Sequence, residues 1–277
     1  MIGSDFALIA LLYSSIFLGS IYIFGGIKRR QESLNIKFRI LGATFGSLLV
    51  VCHILELSNC KSWQEVCQRF ENFKWSRIFI TCRGLLSSIL YGILSTEILY
   101  FGQWFHMIFY ERSINMRTCR QFISYLFTLR GFRNIIAAPF HEEFVFRAAL
   151  IYQAQKYFNS STDICLVNGI IFAFAHLHHL FEDYLDHVPL KNALLGSIIQ
   201  MGYTFIFGYY SSYVLLMTGN LASSIAIHSL CNLHGLPEII SAVKSHSRSK
   251  RRYLNTTVTI GAYVLGLLGW LNILKGY

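Results

Sequence analysis

Ile135-Ile136-Ala137-Ala138-Pro139-Phe140-His141-Glu142-Glu143-Phe144-Val145-Phe146-Arg147-Ala148-Ala149-Leu150-Ile151-Tyr152 is apolar at both ends and charged in its middle. A helix needs about 20 apolar residues to cross a hydrocarbon layer of about 30 Å, and the flanks of this stretch read that way. One Asp, Lys or Arg at the centre of such a helix costs about 2.5–3.5 kcal/mol by the lower estimates, so Glu142, Glu143 and Arg147 mark a functional site by default.

The rest of the 277-residue chain is of the same kind. Hydrophobic residues make up 54% and charged residues 14%, with a mean hydropathy of +0.45, well outside the habit of soluble domains. The expected fold class is all-α: a polytopic membrane protein of about eight transmembrane helices, with an intramembrane cavity open to the cytosol. The windows are 6–24, 40–57, 78–110, 134–157, 164–180, 192–217, 221–236 and 258–274, with 78–110 taken as one long or tilted helix. Without repeats, low-complexity stretches or Gly/Ser linkers, residues 1–277 form one membrane domain. The first apolar run is too long for a signal-peptide core and has its basic residues, Lys28-Arg29-Arg30, behind it, so it is expected to stay.

The net charge of +10 raises the question of nucleic acid, but the basic residues sit in short loops between apolar runs. Lys28, Arg29, Arg30, Lys37 and Arg39 fall in the first loop. Arg112, Arg117, Arg120, Arg130 and Arg133 fall in the third, and Lys244, Arg248, Lys250, Arg251 and Arg252 in the seventh. The positive-inside rule makes these odd loops cytoplasmic and puts the N-terminus on the opposite side. The partners expected from composition are a lipid bilayer and no nucleic acid. The seven cysteines show no Cys-x-x-Cys spacing; most read as small buried hydrophobes, while Cys60 and Cys67 share a polar loop. Pro139 is expected to kink or restart its helix, because it lacks an N–H and clashes with the preceding turn. Residues 112–132 mix Arg with Phe122, Tyr125, Leu126 and Phe127 and are expected to lie along the interface.

Two more apolar helices carry polar groups that hydrocarbon disfavours: Phe172-Ala173-Phe174-Ala175-His176-Leu177-His178-His179, and Ser223-Ser224-Ile225-Ala226-Ile227-His228-Ser229-Leu230-Cys231-Asn232. In the expected topology Glu142 and His228 each lie about eight residues, or about 12 Å, from the cytoplasmic end of their helices. His176 is shallower, so one cytosol-facing cavity can hold all three. Glu143 and Arg147 are i and i+4 with the acid first, the favoured order for a helical ion pair. Glu142 is rotated about 100° from Glu143 and can point elsewhere. Glu143 and Arg147 therefore read as a mutually compensated supporting pair, and Glu142 as the carboxylate left for chemistry. His228 and Asn232 share a helix face, as do Phe172 and His176.

A carboxylate and an imidazole converging on one water can divide proton transfer between them, and two further donors can hold an oxyanion. The set Glu142, His176, His228 and Asn232 therefore suffices to hydrolyse an acyl bond, with Ser229 and Cys231 also nearby. Each residue also has a plainer reading: a Glu–Arg clamp, or a hydrogen-bonded core histidine. Three helices supplying such groups at compatible depth weigh against it. His178 and His179 read as interfacial, and Glu97 and Arg83 as structural intramembrane charges without evident partners. A zincin needs His-Glu-x-x-His, and Val145 stands where the second histidine belongs. A zinc site of Glu142, His176 and His228 satisfies the ligand count of a catalytic centre, so a metal-dependent membrane hydrolase is one alternative. A non-enzymatic scaffold or proton-coupled transporter is another, since Glu and His also build proton relays.

Glu142-Glu143-x-x-x-Arg147, Phe172-x-x-x-His176 and His228-x-x-x-Asn232, in that order on separate helices, resemble the three motifs of the type II CAAX prenyl endopeptidases. This Ras-converting-enzyme family is related to bacterial abortive-infection membrane proteases. The flanks add to the resemblance: Arg133-Asn134, Ala175-His176-Leu177-His178-His179, Phe207-Gly208-Tyr209-Tyr210 and Thr218-Gly219. Ala173 stands where eukaryotic members often carry Gly. The resemblance covers a motif-bearing core of about 130–236 and implies a single transmembrane protease domain over 1–277. It implies a multi-pass endoplasmic reticulum protein, active site towards the cytosol, that removes the last three residues of farnesylated or geranylgeranylated CAAX proteins such as Ras-type small GTPases. It further implies Glu142 and His176 activating water, His228 and Asn232 stabilising the oxyanion, Glu143, Arg147 and Phe172 in support, and no metal or other cofactor. A prenyl tail partitions into lipid, so a cavity open to both bilayer and cytosol suits such a substrate.

Overall fold

The computed structural model describes residues 2–26, 32–113, 116–248 and 250–275. Among these there is no β-strand, and apolar sequence with few breakers winds into helices throughout. In chain order they are α1 (Ile2–Gly25), α2 (Ser33–Ile54), α3 (Trp63–Asn72), α4 (Leu85–Leu99), α5 (Phe101–His106), α6 (Met116–Leu126) and α7 (Leu129–Phe132). A π turn (Arg133–Ala137), α8 (Ala138–Glu143), a second π turn (Phe144–Ala149) and α9 (Leu150–Ala154) follow as one unbroken rod. Then come α10 (Ser161–Ala175), α11 (His178–Leu185), α12 (Leu190–Thr218), α13 (Leu221–His234), α14 (Ile239–Ser245) and α15 (Arg252–Lys275).

The chain is an all-α polytopic membrane protein. The outer surface is what lipid requires and water does not: Leu8, Leu86, Ile198 and Leu265 are each more than 60% exposed, far more apolar area than a soluble monomer leaves uncovered. Among the described residues four helices are long and apolar enough to cross a membrane: Asp5–Gly25, Ser33–Ile54, Ser161–Leu185 and Arg252–Lys275. The 78–110 window is not one straight helix. Its first residues form a 3-10 turn and a loop around Gly84, and α4 and the segment Phe101–Glu111 meet at 62° at Tyr100. Counted as one bent span, these two bring the number of described segments long and apolar enough to cross to five.

Other expectations meet the structure unevenly. Lys28, Arg29 and Arg30 lie outside the described residues, and Lys37 and Arg39 belong to the start of α2 instead of a loop. Arg83 is exposed, ahead of α4, and Glu97 has partners: Trp104 donates its indole N–H to one oxygen, and His234 Nε2 lies 3.1 Å from the other. This cluster straddles the 62° bend. All seven cysteines are free. Pro139 produces no break; its missing N–H follows a π turn in which Ala138 N–H reaches back to Arg133 O, and the rod continues. Residues 116–126 do form a separate, largely exposed helix carrying Arg117, Arg120 and Phe122.

The rod from Arg133 to Ala154 runs through the middle of the bundle, with Val145, Ala148, Ala149 and Ile151 at 0% exposure. It is surrounded by α1 and α2, by α10, and by α12 and α13. Its small residues let these helices close in. Behind it α10 and α12 nearly touch: a Cβ placed on Gly208 would lie 2.9 Å from the Gly169 Cα and 3.3 Å from Phe172 Cβ. His141 fixes the rod to α2, with Nδ1 3.1 Å from the Ser47 hydroxyl and Nε2 3.1 Å from that of Thr44.

Candidate active site

Glu143 and Arg147 are both at 0% exposure, with Arg147 Nε 3.0 Å from Glu143 Oε2. A buried charge must be compensated, and the rest of the compensation is aromatic: Arg147 Cζ lies 4.0 Å from the centre of the Phe172 ring and 5.2 Å from that of Phe207. Glu143 is a hub beyond that pair. Ser211 Oγ donates to Oε2 at 2.8 Å, and His228 Nδ1 donates to Oε1 at 2.7 Å. The i, i+4 spacing finds Arg147 but is silent on both these partners, which arrive from α12 and α13. The signal available for Ser211 is weak: two adjacent serines, Ser211 and Ser212, inside an apolar helix.

With Nδ1 spent on Glu143, the other ring nitrogen of His228 faces Glu142: Nε2 is 3.9 Å from Glu142 Oε2. The two adjacent carboxylates thus flank one imidazole, the deep one orienting it and the other, 24% exposed, meeting it from the cavity side. Ser229, one residue on, donates to Ile135 O at 2.7 Å and so clamps α13 to the rod.

His176 is the C-cap of α10. Its Nδ1 lies 2.8 Å from Phe172 O, and its ring sits 4.4 Å from that of Phe172. A carbonyl only accepts, so Nδ1 carries the proton and neutral His176 keeps Nε2 as an acceptor. Among the described residues no hydrogen bond or ion pair joins His176 to Glu142; both border the same cavity of about 800 Å³, together with His228, Asn232, Tyr203 and Phe207. Asn232 is exposed at its rim and gives one amide N–H to Asn134 O at 2.9 Å, leaving the second for another acceptor.

The zinc set Glu142, His176 and His228 is not gathered to ligand spacing. Among the described residues the one group that is comprises His178, His179 and Glu182, whose ligand atoms lie within 4.8 Å of one another. Glu182 is already engaged there: Arg39 at 2.9 Å and the Tyr22 hydroxyl at 3.0 Å on Oε1, His179 at 2.8 Å on Oε2. His178 and His179 line the same cavity.

The structure thus defines a membrane-embedded helical protein with carboxylates and imidazoles converging on a roomy cavity. The model for the family described as Type II CAAX prenyl endopeptidase Rce1-like matches residues 124–234, the stretch that carries every group above except those of α1, α2 and α4–α5. A CAAX prenyl protease 2 of Arabidopsis thaliana is 40% identical over 111 residues, 38% of this chain and 34% of the relative. A probable CAAX prenyl protease 2 of Schizosaccharomyces pombe is 31% identical over 135 residues, 48% and 49% of the two chains. The CAAX prenyl protease 2 of Homo sapiens is 24% identical over 257 residues, 90% of this chain and 76% of the human one. The matched segment therefore spans about half the fission-yeast relative and about a third of the Arabidopsis one. No solved structure matches. Residues 124–234 are thus similar to the type II CAAX prenyl endopeptidase family, and relatives named CAAX prenyl protease 2 resemble this chain over that stretch and beyond it.

Proposed function

We propose that the protein is an intramembrane endopeptidase that hydrolyses the peptide bond after the isoprenylated cysteine of CAAX proteins and releases the C-terminal tripeptide. The observation that carries this reading is His228 held between Glu143 and Glu142 on the wall of a cavity large enough for a peptide. Glu142 takes a proton from water, and the hydroxide attacks the carbonyl carbon. His176, whose Nε2 accepts, relays the proton that Glu142 has taken from water to the departing amine. His228 in its protonated form donates one N–H to Glu143 and turns the other towards the oxyanion; Asn232 supplies the second donor through its remaining N–H. With both glutamates ionised, Arg147 and protonated His228 make the four-group cluster neutral, the condition under which burial is tolerable.

The substrates are farnesylated or geranylgeranylated proteins, Ras-type small GTPases among them. The protein sits in the endoplasmic reticulum membrane with about eight crossings and the cavity towards the cytosol, where the basic segments lie. Purified protein in detergent, given a fluorogenic farnesylated CAAX peptide, cleaves it. Glu142→Ala and His228→Ala remain folded and are inactive; wild-type-like turnover by Glu142→Ala would end this mechanism.

A further inference from the structure

α12 turns one continuous face to the cavity: Gln200, Tyr203, Thr204, Phe207 and Tyr210 all line it, at helical spacing. Phe207 marks the catalytic level of that face, its ring centre 4.9 Å from that of His228 and 5.2 Å from the Arg147 guanidinium carbon. Thr204 is spent within the helix, donating to Gln200 O at 2.7 Å, and the Tyr210 hydroxyl lies 2.6 Å from that of Ser95. The side-chain amide of half-buried Gln200 makes no hydrogen bond among the described residues. An amide in an apolar helix carries both donors and an acceptor, and leaving them unmet there is unfavourable. An unmet polar group on the wall of a functional cavity calls for a ligand that supplies its partners.

Resting on the endopeptidase reading, we infer that Gln200 binds a main-chain peptide group of the substrate about two to three residues ahead of the prenylated cysteine. Gln200 and Phe207 are seven residues apart, so they stand within about 20° of one another around α12 and about 10.5 Å apart along it. An extended chain covers that distance in about three residues. A main-chain N–H and C=O of the substrate therefore reach Gln200 when its scissile carbonyl is beside His228. The direction follows from topology. α12 starts on the cytosolic side in the expected arrangement, so Gln200 lies cytosolward of Phe207, towards the body of a protein whose end has entered the cavity. A carboxamide matches a peptide unit, accepting from its N–H and donating to its C=O, whatever side chains the substrate carries. Gln200 thus adds affinity for the extended chain without reading its sequence.

The test uses farnesylated fluorogenic CAAX peptides in which one backbone amide is replaced by an ester, deleting its N–H, at the second, third or sixth residue ahead of the cysteine. Wild type in detergent is expected to lose about fivefold in kcat/KM on the ester at the second or the third residue, the worth of one neutral hydrogen bond. The ester at the sixth residue should change nothing. Gln200→Met, of nearly the same shape, should raise KM on the all-amide peptide by a similar factor with kcat held, and should cleave all three esters alike. Its unfolding temperature should equal that of wild type or exceed it, because no hydrogen bond within the protein is lost. A wild type indifferent to the second and third esters overturns the inference, as does a Gln200→Met protein that keeps the wild-type KM or the ester penalty. A Gln200→Met protein that is destabilised or fails to fold overturns it too, since the amide would then have a partner within the protein. Wild type that cleaves none of the peptides, the all-amide one included, defeats the endopeptidase reading itself, a result distinct from the others.

Discussion

Arg147 lies over the face of Phe172 with its guanidinium carbon 4.0 Å from the ring centre, while its Nε lies 3.0 Å from Glu143 Oε2. One motif's cation is thus seated on the next motif's aromatic residue, so that two sequence signatures form one packed object. The preference of planar guanidinium for an aromatic face explains why this position calls for Arg.

Removing that cation should cost stability before it costs chemistry. Arg147→Gln leaves Glu143 buried with its ion-pair partner gone, a change worth about 3–5 kcal/mol. Arg147→Lys keeps the charge and loses the stacking plane, and should recover only part. Thermal unfolding in detergent reads both; an Arg147→Lys melting temperature equal to wild type would contradict this account.

The adjacent carboxylates should separate by their readouts. Glu142, 24% exposed and 3.9 Å from His228, can become Gln with little change in unfolding temperature and a fall in kcat of at least about a hundredfold. Glu143→Gln removes a charge that holds Arg147, His228 and Ser211, and should lower both melting temperature and kcat. Identical behaviour of the two variants would refute the division between them.

How far the sequence discloses this arrangement depends on which contacts are local. Glu143 with Arg147 and Phe172 with His176 are one helical turn apart, so spacing alone brings them together. The Glu143–His228 bond spans 85 positions and the Glu143–Ser211 bond 68; these depend on how α12 and α13 pack on the rod, which no periodicity states. For the same reason Glu97 looks solitary in sequence and is not: His234 reaches it across the bundle. The 78–110 run misled differently, since its hydropathy is continuous while Gly84 and the bend at Tyr100 divide its backbone.

Ser211→Ala should produce an intermediate phenotype. The hydroxyl is one of two hydrogen-bond donors to Glu143, beside His228, and its loss should cost about 1–2 kcal/mol in stability with a measurable fall in kcat as His228 loosens. Denaturation and steady-state kinetics on the same preparation test this, and an effect on neither would show that Glu143 is held without it.

Gly208→Ala probes the wall behind the site. The added methyl would meet Gly169 Cα at 2.9 Å and press on Phe172, so α10 and α12 must part at a cost of about 1–3 kcal/mol. Because Phe172 supports Arg147 and stacks near His176, turnover should drop with the melting temperature. Unchanged values for both would mean that the helices slide apart freely there.

Treatment with a strong chelator, followed by assay in metal-free buffer, should leave turnover unchanged, because the proposed water activation uses Glu142 and His176. Loss of activity restored by a divalent cation would replace that mechanism with a metal-dependent one.

The two π turns give the central rod a property that its residues do not share with an ordinary helix. Each wide turn carries one residue more than the α ladder needs, so three helical phases, Leu129–Phe132 just ahead of the rod and Ala138–Glu143 and Leu150–Ala154 within it, are each turned relative to the next. Excising a single residue from Arg133–Ala137 would restore α winding while rotating everything upstream by about 100°, and Glu142 and Glu143 would stay where they are. The rod can thus be re-indexed on one side of its chemistry without disturbing the other, so this active site and the mouth of its cavity can change independently by insertion or deletion.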